Sequence, residues 1–375
     1  NSLYKLTKEE NIDYEYLEEI NSFLWETSNF FLCYQMKNDK IIQKLYCDIL
    51  ERILRKKYDP LFSNIPIKKG NFEKIRIGVI SPHLYNHNGA NWAPGLLQEI
   101  IKDSKYQIIT YNLSEREDHI TNEFASFSIY KKLRINQDNF IDSIEVIKND
   151  HLDILIFTDI GMHPISKILS VTKLASIQIN CWGHPVTSGS KYIDYYLSSM
   201  LMETEESKNH YSEELILLPS IGLNYQVPKA PNDGQYLFEK FKIPRSRPLL
   251  SSMQSDFKYI PENDSVFAEI SNKNRNALII FVEGVGNKLI SENLIKRISL
   301  KYKELDLNIN DHVLLLPRLE HSDYIGMLKI SHHSLDTINH NGGNSSLQAL
   351  SVDCPVLTYP TEFMRGRHTV GMLNE

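Results

Sequence analysis

Several short motifs that mark common enzyme chemistries are missing from this sequence of 375 residues. There is no Asp-x-Asp pair, no GxxxxGKS/T segment, no GxSxG or HExxH motif, and no GxGxxG fingerprint after the first apolar strand. These absences argue against a metal–nucleotide clamp on paired aspartates, against P-loop phosphoryl transfer and against dinucleotide redox chemistry. A transferase that works without a metal survives these exclusions best.

The sequence also lacks a large excess of either positively or negatively charged residues. Lys and Arg total 41 against 47 Asp and Glu, which gives a formal net charge of −6 at pH 7. A general nucleic-acid-binding protein normally carries a basic surplus. We therefore expect no nucleic-acid partner.

Cysteines and long apolar runs are also scarce. The four cysteines are scattered without a CxxC pair, which argues against a disulfide framework or a zinc site and favours a reducing compartment. The longest apolar run, LDILIF at 152–157, has the length of a strand rather than of a membrane span. Because no basic-then-apolar leader follows Asn1, we expect a cytoplasmic protein without a membrane partner.

The pattern of apolar residues predicts three zones. Residues 1–70 read as helices, and from residue 71 apolar strands alternate with amphipathic helices, as in a parallel sheet covered on both faces. The Pro-rich joint YQVPKAPNDG at 225–234 interrupts this alternation, which then restarts. We predict an α/β fold with an N-terminal helical segment, Rossmann-like lobes over 71–232 and 233–375, and a ligand cleft between the lobes. GT-B glycosyltransferases have this shape, but so do many other two-lobed enzymes.

The most informative segment is NGGNSSLQALS at 341–351. Two glycines follow a short strand, and Asn344, Ser345 and Ser346 can cap the next helix. Such a helix start offers backbone N–H groups, hydroxyls and a positive dipole end to a phosphate or diphosphate. A plain helix cap without a ligand is the competing interpretation.

Two loops of the first lobe are further candidates. NCWGHPVTSGS at 180–190 is expected to expose amides, hydroxyls and the imidazole of His184, although an ordinary connecting loop has the same composition. SPHLYNHNGANW at 81–92 places His87 after the first strand, where an imidazole can accept a proton from an acceptor hydroxyl. His83 competes for that role, and a capping or surface histidine is the simpler interpretation of His87.

Basic side chains of the second lobe complete the candidates. Lys258 follows the first strand of that lobe and can neutralise a leaving phosphate, with a solvated lysine as the alternative. Arg365 and Arg367 are expected on a charged, solvent-facing surface.

Taken together, these segments resemble the catalytic region of the O-GlcNAc transferase family (glycosyltransferase family 41), particularly its bacterial members. The matching pieces lie in family order from about residue 74 to 369, and the runs from GHPVTSG to YYLSS and from GGNSS to EFMRGR are specific. Residues 1–70 lie outside the resemblance, where family members usually carry tetratricopeptide repeats that present the acceptor protein. The resemblance implies an inverting, metal-independent transfer of a sugar, above all N-acetylglucosamine, from a UDP donor to Ser or Thr hydroxyls of proteins.

The resemblance also implies roles for individual residues. His87 matches the histidine proposed as general base in the family, and Lys258 matches the lysine that contacts the donor diphosphate. The other implied positions bind the donor: Gly183, His184, Pro185 and Thr187 in the loop beside its sugar, Leu319 and Tyr324 at the uracil, Gly343, Asn344, Ser345 and Ser346 at the diphosphate, and Gln348 at the ribose. No cofactor is implied besides the UDP-sugar, which is a co-substrate.

Two departures from the family pattern keep other functions open. Gln348 stands where the family usually has Asp or Glu, so a charge-assisted hydrogen bond to the ribose is lost. The chain ends at Glu375, short of the helices that normally complete the second lobe, so either the natural chain is longer or this lobe is unusually short. The alternatives are a catalytically silent UDP-sugar-binding or peptide-binding protein of the same fold and a transferase that acts on a glycan or lipid.

Overall fold

The computed structural model describes residues 21–62, 73–90, 93–224, 227, 233–284, 286 and 288–375. The internal contacts of the chain divide it into two compact units, Asn1–Gln226 and Val227–Glu375. The predicted lobe boundary at 232–233 falls a few residues farther along the chain. Parts of two sequence predictions lie outside the described residues, namely the helical zone at 1–20 and 63–70 and most of the Pro-rich joint.

The N-terminal stretch is part of the first unit. Residues 21–26 are helical, a 3-10 helix follows at Phe30–Gln35, and α1 spans Lys40–Tyr58. The prediction of helices in this zone is confirmed for residues 21–26, 30–35 and 40–58, with short breaks between them. One face of α1, with Leu50 and Leu54, belongs to the same hydrophobic core as the central strands of the first unit.

Within the described residues, the first unit contains a seven-stranded parallel sheet in the order β3-β2-β1-β4-β5-β6-β7. The strands are β1 (Ile75–Ser81), β2 (Tyr106–Asn112), β3 (Ile129–Lys132), β4 (Ile154–Phe157), β5 (Ile177–Asn180), β6 (Tyr195–Ser199) and β7 (Glu214–Leu218). The helices are α2 (Ala93–Ile100), α3 (His119–Phe127), α4 (Phe140–Lys148) and α5 (Pro164–Ser170). Two hydrophobic clusters cover the sheet, one with α1, α4 and α5 and the other with α2 and α3.

The described part of the second unit repeats this plan with five parallel strands in the order β10-β9-β8-β11-β12. They are β8 (Leu249–Ser251), β9 (Leu278–Val282), β10 (Val313–Leu316), β11 (His333–Leu335) and β12 (Val356–Leu357). The helices are α6 (Tyr236–Lys240), α7 (Asp264–Lys273), α8 (Lys288–Glu304), α9 (His321–Ile330), α10 (Asn344–Leu350) and α11 (His368–Leu373). One cluster packs α6, α9 and α10 against the sheet, and another packs α7 and α8.

Both sheets have the doubly wound order, so the predicted α/β fold class is confirmed. In each sheet the order reverses beside the first strand, between β1 and β4 and between β8 and β11. Loops that leave the carboxyl ends of strands on either side of such a reversal diverge and open a crevice, which is where doubly wound sheets bind ligands. The loops after β1, β4, β8 and β11 are therefore the places to search for a site.

Two strands and four helices were not among the predicted elements. β3 has the sequence IYKK and no buried residue, so it lacks the apolar run that marks the other strands. α3 is short, and its start is set by a capping box between Asp118 and Thr121. The remaining four are β7, α5, α6 and α11.

No helix in the described ranges is both long and apolar enough to span a bilayer. All four cysteines are buried thiols, as expected for a chain without a disulfide framework.

Helix α1 supports the loop that follows β5 at very close range. Gly189 of that loop has φ of +77°, and a Cβ atom there would lie 2.3 Å from the carbonyl carbon of Gln43 on α1. Lys167 of α5 is buried nearby, and its ammonium donates to Gln43 Oε1 at 2.7 Å and to the backbone carbonyl of Ser188. Only glycine fits at position 189 because both the backbone angle and the space exclude a side chain.

We predict that Gly189→Ala destabilises the protein far more than Gly222→Ala. Both glycines have positive φ, which costs alanine about 1–2 kcal/mol, but a Cβ at Gly222 would come no closer than 3.2 Å to Leu218. Urea unfolding of the two variants separates the conformational cost from the clash with α1. Equal losses would contradict the close packing of α1 on this loop.

Candidate functional site

A buried carboxylate organises the loop after β1. Asp159, two residues beyond β4, is completely buried, and its Oδ2 accepts a hydrogen bond from the hydroxyl of Ser81 at 2.9 Å. The same oxygen is bonded to Nδ1 of His83, whose own amide donates to Ser81 Oγ at 3.0 Å. Ser81, His83 and Asp159 thus form one connected group at the switch point of the first sheet.

His87 stacks on this group. Its imidazole lies 4.3 Å from that of His83, with the ring planes 17° apart, and its Nδ1 accepts a hydrogen bond from the amide of Gly89 at 3.1 Å. Burial lowers the pKa of His87 to about 4, with a further lowering from His83. His87 is therefore neutral at neutral pH, which is the state that a proton acceptor requires.

A third histidine borders the same group. The ring of His163 meets that of His83 edge-on at 6.1 Å, and its Nδ1 caps α5 by accepting from the amide of Ile165. Burial and then His83 lower the pKa of His163. Among the described residues, no cluster of His, Cys, Asp or Glu is arranged to hold a metal ion.

The loop after β5 lies against the same strand ends. A Cβ atom on Gly183 would lie 2.3 Å from the carbonyl oxygen of Thr158, so glycine is required for the loop to pack there. Pro185 is buried in the loop. His184 is only 2% exposed, and its ring lies 5.2 Å from that of Phe30. The expectation that this loop exposes the imidazole of His184 is therefore wrong.

Thr187 is occupied within the first unit. Its hydroxyl donates to the carboxylate of Glu213 at 2.6 Å and accepts from the amide of Ser212 at 3.0 Å. The other oxygen of Glu213 accepts from the amide of Ser188 at 2.7 Å. These contacts hold the loop in place, so the hydroxyl of Thr187 has a structural role. A role of Thr187 in binding the donor stays a prediction.

In the second unit, a half-buried carboxylate holds the candidate loop. Asp336 follows β11 directly, and its Oδ1 accepts from the amide of Gly342 at 2.7 Å, while Oδ2 accepts from the hydroxyls of Thr358 and Thr369. Burial raises the pKa of Asp336, although these hydrogen bonds and the charge of the nearby Lys258 act in the opposite direction and lower it. Asp336 thereby fixes the glycine loop at 341–343.

Lys258 lies beside this loop, as predicted. Its Nζ donates to the carbonyl oxygen of Asn341 at 2.9 Å and to Oε1 of Gln254 at 3.0 Å. The amide group of Gln254 also pairs with the hydroxyl of Ser345 at 2.9 Å. The lysine, the loop and the first turn of α10 are therefore joined by direct contacts.

The loop leaves room only at one glycine. A Cβ on Gly342 would lie 2.4 Å from Ser346 Oγ, whereas a Cβ on Gly343 would find nothing closer than Nδ1 of His368, at 4.0 Å. Burial above all, together with the charges of Lys258 and Arg365, lowers the pKa of His368 to about 3. The open position at Gly343 thus faces the neutral imidazole of His368, which lies near the positive charges of Lys258 and Arg365.

Two predictions about side chains near this loop are wrong. Arg365 is only 3% exposed, with its guanidinium 4.4 Å from the ring centre of Phe363, and is not on a solvent-facing surface. Arg367 is half-buried and donates to the carbonyl of Thr361. The expectation that side chains cap α10 is also wrong, because Gly343 occupies the cap position and no side chain bonds there.

The remaining donor-binding candidates lie around α10. Asn344 begins the helix, and Ser346 is buried, with its hydroxyl bonded to Thr369 at 2.7 Å. Leu319 and Tyr324 pack against the core cluster that contains α9 and α10. In the described part of the chain, the side-chain amide of Gln348 on α10 has no hydrogen-bond partner, so it is available to a ligand.

Sequence reasoning missed the residues that hold the candidates in place. These are Asp159, Glu213, Gln254, Asp336 and His368. Asp159 and Asp336 each follow an apolar strand directly or by two residues, and that position is a usable signal. Glu213 and Gln254 carry little local signal, because they bond to Thr187, Ser188 and Ser345, which are distant in sequence, and no local pattern marks His368.

The two doubly wound sheets and the loop clusters at their switch points define a protein of the GT-B fold class. A family model described as "Glycosyl transferase family 41" matches residues 37–226, just over half of the chain. The chain therefore belongs to glycosyl transferase family 41. The match includes α1, so the prediction that residues 1–70 lie outside the family resemblance is wrong from residue 37 onward.

Individual relatives agree with this assignment. Two of them are described as probable UDP-N-acetylglucosamine–peptide N-acetylglucosaminyltransferase SPINDLY. The protein from Eustoma exaltatum subsp. russellianum is 27% identical over 282 residues, which cover 71% of this chain and 28% of the relative. The protein from Arabidopsis thaliana is 23% identical over 296 residues, which cover 76% and 31%. The chain thus spans about three tenths of the length of these relatives.

A solved structure supports the fold. It is a mutant O-GlcNAc transferase from Thermobaculum terrenum, with a TM-score of 0.69 and 20% sequence identity. The similarity covers 88% of this chain and 62% of that one.

His368 predicts a pH dependence of stability. Its pKa is about 3 in the folded chain, but an unfolded histidine takes up a proton near pH 6.5. Between these values the unfolded state binds more protons, so the free energy of unfolding falls as the pH falls, by up to ~1.4 kcal/mol per pH unit. His368→Gln should flatten urea-unfolding stability between pH 6.5 and 4.5, while the exposed control His321→Gln keeps the wild-type slope. An unchanged slope in His368→Gln would show that His368 is not held neutral.

Proposed function

We propose that this chain transfers N-acetylglucosamine from UDP-N-acetylglucosamine to Ser or Thr hydroxyls of proteins, with inversion at the sugar and without a metal. Family membership supports a UDP-sugar glycosyltransferase, and the printed names of the relatives support this donor and a peptide acceptor. The observation that carries the proposal is the contact of Lys258 with the glycine loop, 2.9 Å from the carbonyl of Asn341.

The second unit supplies what a diphosphate needs. Lys258 is a compact positive charge, and it is already held at the loop instead of having to be recruited from solvent. Gly343 gives an anion close access to the backbone because no side chain projects from it. The hydroxyl of Ser345, paired with Gln254, adds a donor at the first turn of α10.

These groups also suit the transition state. As the bond to the sugar breaks, negative charge grows on the oxygen of the leaving UDP. A positioned cation stabilises that charge more in the transition state than in the ground state, which is the requirement for catalysis. Lys258 would supply this stabilisation, so the reaction needs no metal bridge between the phosphates.

The first unit supplies candidates for activation of the acceptor. Inversion by one in-line displacement needs a group that takes the acceptor proton but no enzyme nucleophile. His83 and His87 lie at the carboxyl end of β1, stacked on each other and beside the buried Asp159. The loop after β1 and the buried Asp159 position these imidazoles.

A binding protein without turnover is the second candidate, and Gln348 is the observation that favours it. Its amide can hydrogen-bond a ribose hydroxyl, but a neutral acceptor binds more weakly than a carboxylate. Incubation with radiolabelled UDP-N-acetylglucosamine and a cell extract separates the two functions. Release of UDP together with labelled protein supports the protein transferase, and labelled glycan or lipid would show that the acceptor is a glycan or a lipid instead. UDP binding without turnover supports the binding protein.

Lys258→Met should lower the turnover number by about 10²–10³-fold, because the leaving diphosphate loses a positioned charge. UDP affinity, measured by calorimetry, should fall as well. Lys273→Met, which changes an exposed lysine on α7, serves as the control and should keep both values. Wild-type kinetics in Lys258→Met would remove this lysine from the site.

Gly343→Ala and Gly342→Ala should differ in what they disturb. A methyl group on Gly342 meets Ser346 at 2.4 Å, so Gly342→Ala should lower the melting temperature. A methyl group on Gly343 would come no closer than 4.0 Å to Nδ1 of His368, but it would occupy the space over the loop. Gly343→Ala should therefore weaken UDP binding with a smaller loss of stability, and unchanged UDP affinity would place the diphosphate elsewhere.

A further inference from the structure

We propose that His83, oriented by Asp159, is the residue that accepts the proton of the acceptor hydroxyl, and that His87 is its neutral stacking partner. The inference rests on the proposed transferase function and names the base within it. It is carried by the hydrogen bonds that the two imidazoles make through their Nδ1 atoms.

The contact with Asp159 fixes the tautomer of His83. Oδ2 of a carboxylate can only accept a hydrogen bond, so Nδ1 of His83 carries the hydrogen and donates it. In the neutral ring, Nε2 then holds the lone pair. Within the described ranges no group bonds to Nε2 of His83, and the side chain is 12% exposed, so this atom can meet a substrate.

The contact with Gly89 fixes the opposite tautomer for His87. A backbone amide can only donate, and it points at Nδ1 of His87 from 3.1 Å, so this nitrogen holds the lone pair. In the neutral ring, Nε2 therefore carries the hydrogen. A nitrogen that already carries a hydrogen cannot take another proton from an acceptor, so His87 in this arrangement can donate to a substrate but cannot act as its base.

The surrounding charges favour His83 as well. After His83 takes the proton, its ring has the carboxylate of Asp159 on one side and the face of neutral His87 on the other. The hydrogen bond from Ser81 keeps that carboxylate in place. The other titratable or charged neighbours are His163 at the ring edge, Tyr85 at 6.2 Å, and Arg116 beyond Tyr85. A proton on His87 would have no bonded carboxylate. The charge of Asp159 would favour that proton without a hydrogen bond to it, and the charge of Arg116 would oppose it.

The proton and electron balance of the step is simple. The acceptor oxygen forms a bond to the anomeric carbon as the bond from that carbon to the UDP oxygen breaks, and the bonding electrons leave with UDP. The hydroxyl proton moves to Nε2 of His83. Asp159 stays ionised and stabilises the imidazolium, so no further reactant is needed.

Kinetics of single variants test the assignment. His83→Asn and Asp159→Asn should each lower kcat by at least about 100-fold, with UDP affinity within about twofold of wild type, since general bases contribute about 10²–10⁴. His87→Phe keeps a stacked ring and should lose much less than His83→Asn. His119→Asn, at an exposed position of α3, is the matched control and should retain wild-type kcat. A His83→Asn protein with near-wild-type kcat would overturn the inference.

Nitrogen-15 NMR of the wild-type protein tests the tautomers without relying on turnover or on a variant that fails to fold. At pH 7 we expect the lone pair on Nε2 of His83 and on Nδ1 of His87, and the reverse pattern would overturn the proposal. Failure of the proposed function is distinguishable, because the wild-type protein would then label no acceptor at all. In that case the role as base falls with the function.

Discussion

A hydrogen-bonded carboxylate at the switch point of each sheet, fully buried in the first sheet and half-buried in the second, is the interaction on which both candidate sites depend. Asp159 follows β4, and Asp336 follows β11, the equivalent strand of the second sheet. Burying a carboxylate is costly unless hydrogen bonds compensate, and each of these accepts bonds from the loop that it holds. Removing the carboxylate would leave those loop donors unpaired in the interior, so the conformation of each loop and the burial of its carboxylate maintain each other.

The loops are further defined by glycines that the packing demands. Gly183 packs against the backbone of Thr158, Gly189 packs against α1, and Gly342 packs against the hydroxyls of α10. Gly343 differs, because the space around its α-carbon is open. In a loop with two adjacent glycines, one is therefore required by the protein itself, while the other gives access to the backbone. That difference separates a structural glycine from a candidate ligand position, and the letters GG alone do not contain it.

The fold was largely predictable because its signals are local. KIRIGVIS and LDILIF are apolar runs of strand length, and α1 shows its period plainly, since each depends only on residues within a few positions. β3 was missed for the same reason, because a partly polar edge strand has no such run. Lys258 and the glycine loop were found through residue type and position after a strand. The partners Asp159 and Asp336 were not, because the bond between Asp159 and His83 joins residues 76 apart in the chain.

Charge and residue type alone also misled the reasoning in identifiable ways. Arg365 was expected in solvent because arginine usually is, yet it is buried against Phe363 in the neighbourhood of Lys258 and His368. His184 was expected to be exposed because its loop is rich in glycine and serine, yet the aromatic ring of Phe30 covers it. In both cases a contact from a neighbouring segment decides burial, and composition does not report such contacts.

The roles of His83 and His87 also depend on contacts that composition does not report. The two residues are of one type, four positions apart in one loop, and either suits a base when only the sequence is considered. Their roles separate because one Nδ1 meets an acceptor and the other meets a donor. A histidine becomes a base or a donor according to the partner of its second nitrogen. The pairing of β4 with β1 therefore determines the two roles, because it places Asp159 at Nδ1 of His83. Nδ1 of His87 instead accepts a hydrogen bond from the nearby amide of Gly89.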